Sequence, residues 1–568
     1  MIRQSRVQII IYSALTLLAL LSMATLTRGQ GIQEEVTVTA EFQPKIPGIS
    51  KIGLEPPQGE TDIKLPVMVY QNIARPIAIT LTPENIAPVK LVGEPQKKLY
   101  RNYLKAGLGT YKTPLLEFYA GSLRSKEYSV GIHLKHLSSS GKIEDYPITN
   151  NSLNLIELDG QKFLNNHTLS GDLGFRRNVV HHYGFKIGDF DVPDLPNSYP
   201  FNDDMLKQRF MRFNGSVGIK SNYKGDDMLN HFAIIKGSYI KDLFETSEVG
   251  FTLNAGADKM FELLEFTDNE SLSLPLDVQY VRYNDSLITQ NNTLITLKPS
   301  IGASFNEYSL RVGLNLNFKL DTLSKAYLFP FVEGRLQLIE NALIANIGIT
   351  GGIRRQSFDE LSDINPFVQS ILPLQYTRDK FVFYGGLKGR ISSSVDLNVQ
   401  VKSSFVADAI FFVNDFSSIP YNRFTLVNDD GNVIEIRVEA QYRMADKFNA
   451  KAYGEYVSWN LDNLKYAYHT PSLKIGADLS YELQNKIVTK LGILYRGKQY
   501  ARIVNSSDAF EDVEVKGFAD LSFGIEYRYT KVLSAFLNFN NITNTRHFVY
   551  YNYPSYRFNV MGGITYSF

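Results

Sequence analysis

Residues 308–321, with the sequence YSLRVGLNLNFKLD, carry the clearest secondary-structure signal in the chain. The even positions of this stretch are all apolar: Tyr308, Leu310, Val312, Leu314, Leu316, Phe318 and Leu320. The odd positions are all polar or small: Ser309, Arg311, Gly313, Asn315, Asn317, Lys319 and Asp321. A period of two is that of a β-strand, whereas a helix would repeat every 3.6 residues. The stretch therefore predicts a strand with one apolar and one polar face.

The same alternation recurs along the chain in segments too long for an ordinary soluble sheet. Residues 473–483 alternate over 11 positions and residues 513–529 over 17. Strands in globular sheets usually have about five or six residues, whereas a tilted membrane strand needs roughly 9 to 11. A soluble β-sandwich also alternates, but segment length favours strands that cross a membrane.

About 20 to 22 candidate strands lie between Tyr100 and Phe568, with uncertain assignments at 151–164 and 359–377. Lipid offers backbone groups no hydrogen-bond partner, so such strands must close on themselves. Residues 99–568 therefore predict an all-β fold, a transmembrane antiparallel β-barrel in the cell outer membrane. Its polar face would line the lumen, and we predict turns at four Asn- and Asp-rich sites: 165–166, 284–285, 291–292 and 428–431.

Composition excludes several classes of function. The 59 Lys and Arg residues nearly balance the 58 Asp and Glu residues, so no nucleic-acid partner is indicated. The chain has no cysteine, which excludes disulfides, thiolate metal sites and cysteine nucleophiles. The only adjacent histidines, His181 and His182, would face opposite sides of a strand and could not bind one metal together. We therefore expect no catalytic residues, cofactor or metal site.

The first 29 residues have the organisation of a signal peptide. Arg3 and Arg6 precede an apolar run from Ile9 to Leu26, and small and polar residues follow, ending at Gly29. We expect cleavage after Gly29 and export of the mature chain. The alternative is an uncleaved anchor helix, although four Ser and Thr residues dilute the apolar run.

A proline-rich stretch separates the signal peptide from the barrel. Nine of the 22 prolines lie between Pro44 and Pro95. Each proline fixes φ and lacks a backbone donor, so long paired strands or helices are excluded here. Residues 30–98 are thus predicted to be an extended periplasmic or lumenal segment. Composition does not distinguish a flexible linker from a segment that docks inside a larger structure.

The chain ends on an alternating strand, residues 557–568, whose last residue is Phe568. This ending resembles the signal by which the barrel assembly machinery recognises outer-membrane barrels. Its predicted outward residues are Ile564, Tyr566 and Phe568. The barrel assembly machinery and outer-membrane lipid are therefore expected partners.

Two further segments resemble a known family. Residues 537–546, followed by Tyr550 to Tyr556 and the final strand, resemble the closing hairpin of TonB-dependent receptors over some 35 residues. Residues 34–40 are similar to the TonB box of that family, and five of them form its β-prone part: Val36, Thr37, Val38, Thr39 and Ala40. The resemblance implies TonB as a partner, which would pull this segment by strand addition.

The sequence departs from that family between the box and the barrel. Members of the family carry a folded plug domain there, whereas this chain has only the 58 residues from Glu41 to Lys98. A full plug is therefore predicted to be missing. Two functions stay open: TonB-linked transport across the outer membrane, or a plug-deficient barrel that is a structural or assembly partner of other outer-membrane proteins. No catalytic constellation favours an outer-membrane enzyme.

Overall fold

The computed structural model describes residues 99–190, 203–223, 228–265, 267–321, 323–340, 342–417, 419–444, 447–504 and 509–568. The predicted signal peptide, TonB-box-like residues and proline-rich segment lie outside these residues. Among the described residues, no helix is long and apolar enough to cross a membrane. The short helices are a 3-10 helix at Ile187–Phe190 and α-helices at Asp203–Leu206 and Phe358–Ile364.

Strands dominate the described residues. Up to residue 355 the strands are β1 (Asn102–Gly109), β2 (Thr113–Gly121), β3 (Tyr128–Ser139), β4 (Asn151–Phe163), β5 (His167–His181), β6 (Lys207–Ser221), β7 (Asn230–Lys241), β8 (Ser247–Phe261), β9 (Asn269–Asn284), β10 (Thr289–Leu297), β11 (Ser300–Phe305), β12 (Tyr308–Leu320), β13 (Lys325–Ile339) and β14 (Leu343–Arg355). After residue 355 they are β15 (Tyr376–Ser392), β16 (Val395–Asn414), β17 (Phe424–Met444), β18 (Phe448–Leu461), β19 (Leu473–Leu483), β20 (Ile487–Arg496), β21 (Gln499–Val504), β22 (Phe510–Val515), β23 (Phe518–Arg528), β24 (Leu533–Asn540), β25 (Phe548–Tyr550), β26 (Tyr553–Pro554) and β27 (Asn559–Ser567).

The strands close into a 22-stranded antiparallel barrel, which confirms the predicted fold. The first strand, β1, pairs with the last, β27, so that Tyr103 lies opposite Ser567 and Gly109 opposite Met561. One wall position is shared by β10 and β11, which both lie between β9 and β12. Pro299 lies between them and has no N–H to donate to the ladder. Two short ribbons, β21–β22 and β25–β26, stand apart from the wall.

The two faces of the wall are as the alternation predicts. On β12, Leu314 is 44% exposed on the outside, whereas its neighbour Asn315 is 4% exposed on the lumenal side. The outward faces of the other wall strands are likewise rich in exposed leucine, isoleucine, valine and aromatic side chains. In water such an apolar surface would be costly, but in a bilayer it contacts lipid chains.

The two ends of the barrel differ in the length of their connections. Short turns join the strands at the end where the Asn102 N–H donates to the carbonyl of Phe568 at 2.9 Å. Long connections lie at the other end: residues 140–150, 182–206, 356–375, 415–423, 462–472, 497–517 and 541–558. Outer-membrane barrels have short periplasmic turns and long external loops. The long-loop end is therefore the outer mouth.

Two of the four predicted turns are wrong. Asn291 and Asn292 lie within β10, and residues 428–431 lie within β17. The reason at β17 is a bulge in β16 between Val406 and Ala409, where Asp408 has a φ of +56°. Asp430 accepts the N–H of Asp408 at 3.0 Å, so these polar residues support a bulge between two long strands.

The two uncertain regions have different outcomes. Residues 151–163 form strand β4. Residues 359–377 belong mostly to a loop that contains the helix Phe358–Ile364, before β15 begins at Tyr376. The alternating segment 513–529 is also interrupted, because β22 ends at Val515 and β23 begins at Phe518.

Candidate functional site

The loop of residues 356–375 folds against the lumenal wall at the outer mouth. Its helix begins after Ser357, whose hydroxyl accepts the N–H of Glu360 at 3.5 Å. Glu248 on β8 accepts hydrogen bonds from the hydroxyl of Ser357 at 2.5 Å and the N–H of Phe358 at 2.8 Å. A carboxylate at a helix N-terminus satisfies free N–H groups and is favoured by the helix dipole.

Two arginines of the wall attach the same helix by ion pairs. Arg212 on β6 donates from Nε to Asp359 Oδ1 at 2.6 Å and from Nη2 to Ser362 Oγ at 2.7 Å. Arg176 on β5 lies 2.9 Å from Asp363. Because Arg212 is only 4% exposed, its charge depends on these partners for compensation.

A hydrophobic core lies beneath this helix and extends across the mouth. It contains Val180, Phe210, Ile240, Tyr283, Phe358, Leu361, Val368, Leu372, Leu374, Phe424, Leu426, Tyr550 and Tyr553. These residues come from β5, β6, β7, β9, β17 and two loops. Six wall positions, β10/β11 and β12 to β16, separate β9 from β17. The core therefore joins distant parts of the wall, and we call it, with the loop 356–375, the outer cap.

Buried tyrosines hold the outer cap together by hydrogen bonds to backbone carbonyls. Tyr283 donates to Ser370 O at 2.9 Å, Tyr550 to Ile364 O at 2.6 Å and Tyr183 to Pro554 O at 3.0 Å. Tyr553 donates to Asn422 O and stacks on Phe367, with ring centroids 3.7 Å apart. Burial raises the pKa of Tyr550 to about 12, so its hydroxyl remains a donor at physiological pH.

Two buried histidines contact the outer cap, His182 at Phe367 and His469 at Tyr550. Burial, with Arg423 nearby, lowers the pKa of His182 to about 3, and burial lowers that of His469 to about 4. His469 Nδ1 lies 2.9 Å from Phe412 O, whereas neither ring nitrogen of His182 has a hydrogen-bond partner in the described part of the chain. His181, at the end of β5, lies 2.9 Å from Asp203. Each histidine thus has separate surroundings.

The lumenal wall carries charges of both signs in close pairs. Lys402 lies 2.8 Å from Glu435, and Glu455 lies 3.3 Å from both Arg437 and Lys474. Arg528 on β23 pairs with Glu482 on β19, and Lys319, on the polar face predicted for residues 308–321, lies 2.9 Å from Asp321. The lumenal surface is therefore polar and hydrated but has no strong excess of one charge along these strands.

The residues of the predicted assembly signal lie together on β27 and at the C-terminus. Ile564, Tyr566 and Phe568 are exposed on the outside of the barrel, and the rings of Tyr566 and Phe568 stack at 5.2 Å. They lie at the seam with β1, where Ile564 is opposite Ala106. Val36, Thr37, Val38, Thr39 and Ala40 lie outside the described residues, so the TonB-box-like segment stays a prediction.

The outer cap is the part of the site that sequence reasoning missed. Its only sequence signals are the irregular stretch 359–377 and the aromatic cluster between Tyr550 and Tyr556. Neither signal indicates which distant strand each residue contacts. Asn422, for example, donates to the carbonyl of His182, 240 residues away.

The fold resembles solved outer-membrane receptor structures. The FrpB iron transporter from Neisseria meningitidis (F3-3 variant) has a TM-score of 0.60 at 13% identity, over 83% of this chain and 82% of that one. The siderophore receptor PirA from Acinetobacter baumannii has a TM-score of 0.61 at 9% identity, over 83% of this chain and 81% of that one. The pyoverdine outer membrane receptor FpvA from Pseudomonas aeruginosa PAO1 has a TM-score of 0.60 at 12% identity, over 84% of this chain and 79% of that one.

These likenesses concern the fold. The barrel has the same fold as these solved receptors and transporter. No protein-family model matches the sequence. No curated protein matches it either.

Proposed function

We propose that this chain is an outer-membrane barrel of the TonB-dependent-receptor type that takes part in transport across the outer membrane, with the outer cap as its external gate. The single observation that supports this proposal is the closed 22-stranded barrel with a polar lumen and a cap across its outer mouth. A polar lumen is a route for hydrophilic cargo, and the cap is the barrier at its outer entrance. Among the structural neighbours, FrpB is an iron transporter, PirA is a siderophore receptor and FpvA is a pyoverdine receptor.

The rest of the proposal comes from the sequence. After signal-peptide cleavage, the barrel assembly machinery would insert the barrel, with Phe568 as part of the recognised strand. TonB would engage the segment from Val36 to Ala40. Residues 41–98 would then take over the gating function of a folded plug.

A specific observation favours a second function, that of a structural or assembly partner. The outer cap is packed like a protein interior, with 13 buried hydrophobic residues. A barrel whose outer mouth is closed in this way can be a structural subunit of an outer-membrane complex without transporting cargo.

A disulfide that locks the cap distinguishes the two functions, because only a gate has to open. The chain has no cysteine, so an introduced pair has no competing thiol. Gln369 in the cap loop donates from Nε2 to Thr425 Oγ1 on β17 at 2.9 Å, and its N–H donates to Phe424 O at 2.8 Å. We would introduce Gln369→Cys and Thr425→Cys and express the variant in a deletion strain. If the cap is a gate, the oxidised variant fails to restore the wild-type phenotype to the deletion strain. Addition of a reductant, which breaks the disulfide, then restores that phenotype.

Full complementation by the oxidised, verified disulfide form would contradict the gate and support the structural role. The two single-cysteine variants are the matched controls, because they change the same contacts without a covalent link. Heat-modifiable migration on a denaturing gel would show that each variant has assembled.

A further inference from the structure

Five cations face outward near the outer ends of neighbouring wall strands. They are Arg177 on β5, Lys207 and Arg209 on β6, Lys241 on β7 and Arg282 on β9. On these strands the cations share a face with exposed apolar side chains such as Leu173 and Val217, which are 63% and 69% exposed. Residues two apart on a strand share a face, so the cations are on the lipid side of the wall. We call them the outer basic patch.

A strip of aromatic residues lies directly inward of the patch along the same strands. Arg177, Lys241 and Arg282 each follow, by two positions toward the outer mouth, an aromatic residue: Phe175, Tyr239 and Tyr280. The rings of Phe175 and Phe213 have centroids 4.7 Å apart, and those of Phe213 and Tyr239 6.4 Å apart. Aromatic girdles mark the boundary between the acyl chains and the headgroups. The cations are therefore at headgroup depth.

Only part of the charge of the patch is neutralised by carboxylates. Lys207 lies 3.7 Å from Asp203, and Lys241 lies 2.6 Å from Glu245. Among the described residues, no carboxylate lies within 4 Å of Arg177, Arg209 or Arg282. The Nε of Arg209 is buried and has no hydrogen-bond partner there.

The three arginines of the patch without a carboxylate partner in the described part of the chain lie on β5, β6 and β9, whereas the exposed cations Arg354 on β14 and Lys380 on β15 pair with Asp379 and Asp430 at 3.0 Å. On β12, β19, β23 and β27, the outward positions contain no lysine or arginine. Long cations at membrane edges can extend into water without any ligand. Such snorkelling does not explain why the three arginines on β5, β6 and β9 lack carboxylate partners.

We propose that the outer basic patch binds the phosphorylated headgroup of an acylated glycolipid in the outer leaflet. The phosphate oxygens would accept hydrogen bonds from Arg177 and Arg209, since guanidinium groups pair with phosphate in a bidentate manner. The acyl chains would pack on the aromatic strip and the aliphatic residues below it. The site lies on the outside of the wall and does not depend on whether the lumen transports cargo.

The test uses the full chain purified in detergent and titrated with diphosphorylated lipid A under native mass spectrometry. The variant is Arg177→Gln with Arg209→Gln. The matched control is Lys162→Gln with Lys259→Gln, which removes two outward cations at the short-turn ends of β4 and β8. A cation near an anionic headgroup contributes a factor of about five, so we expect about 25-fold weaker binding by the variant and no change in the control.

Two further probes separate the lipid from a free anion. Dephosphorylated lipid A should bind the parent and the variant equally, and inorganic phosphate should not displace diphosphorylated lipid A. Equal binding of diphosphorylated lipid A to the parent and a heat-modifiable variant would overturn the proposal. So would an equal loss in the control, or displacement by inorganic phosphate alone.

Discussion

The two ion pairs that attach the cap helix should differ in strength, because their burial differs. Asp359 pairs with Arg212, whose side chain is 5% exposed, whereas Asp363 pairs with Arg176, whose side chain is 33% exposed. Removing one partner of a buried pair costs about 3 to 5 kcal/mol, because a buried charge remains uncompensated. An exposed pair contributes under about 1 kcal/mol.

Asp359→Ala should therefore destabilise the closed cap by about 3 kcal/mol, the lower end of that range, since Ser362 Oγ still accepts from Arg212. This corresponds to roughly a 150-fold increase in the open-to-closed ratio. Asp363→Ala is the matched control on the same helix and should change that ratio by less than about fivefold.

Hydrogen exchange of the backbone amides in residues 358–364 measures the opening directly. The protection of Leu361, whose N–H donates to Ser357 O at 2.9 Å, should fall in Asp359→Ala and stay almost unchanged in Asp363→Ala. Conductance in planar bilayers should rise in the same order. Equal effects of both substitutions, or a larger effect of Asp363→Ala, would refute the role assigned to the buried pair.

Three other predictions concern acid, lipid and assembly. The folded pKa of His182, about 3, lies below its unfolded value of about 6.5, so the stability that neutral His182 contributes is present above pH 6.5 and is lost as the pH falls toward 3. The protection factors of the cap amides, which are corrected for the intrinsic pH dependence of exchange, should fall over that range, and fall less in His182→Phe. Leu314→Arg should cost about 2 to 4 kcal/mol and reduce heat-modifiable protein, whereas the lumenal control Ser309→Arg should not; the reverse order would mean that the faces are inverted. Phe568→Lys should lower outer-membrane abundance, and unchanged abundance would make β27 an ordinary strand.

The wall of the barrel could be predicted because its signal is local. Each residue of β12 or β19 is apolar or polar according to the side it faces, and neighbouring positions alternate without reference to distant contacts. The same local reasoning treated 428–431 as a turn, because Asn, Asp and Gly are typical turn residues. Residues 428–431 instead continue strand β17, because they pair with a bulge in the neighbouring strand β16, which the local sequence does not reveal.

Local patterns also leave the role of a polar residue undetermined. Asn315 has the pattern of any lumenal residue, but its Nδ2 donates to Gly351 O at 2.5 Å and its Oδ1 accepts from Asn317 at 2.8 Å. A substitution at Asn315 would therefore break buried hydrogen bonds in addition to changing the lumenal surface.

The sequence by itself determined the fold class, the facing of the strands and the approximate strand number, because membrane strands must alternate and must close. Only the tertiary structure decided that the outer mouth is capped. Arg212 and Asp359 are 147 residues apart, and Tyr553 and Asn422 are 131 apart, so no local period connects them. Such contacts depend on the closed wall, because closure brings β5, β6, β17 and the long loops to one mouth.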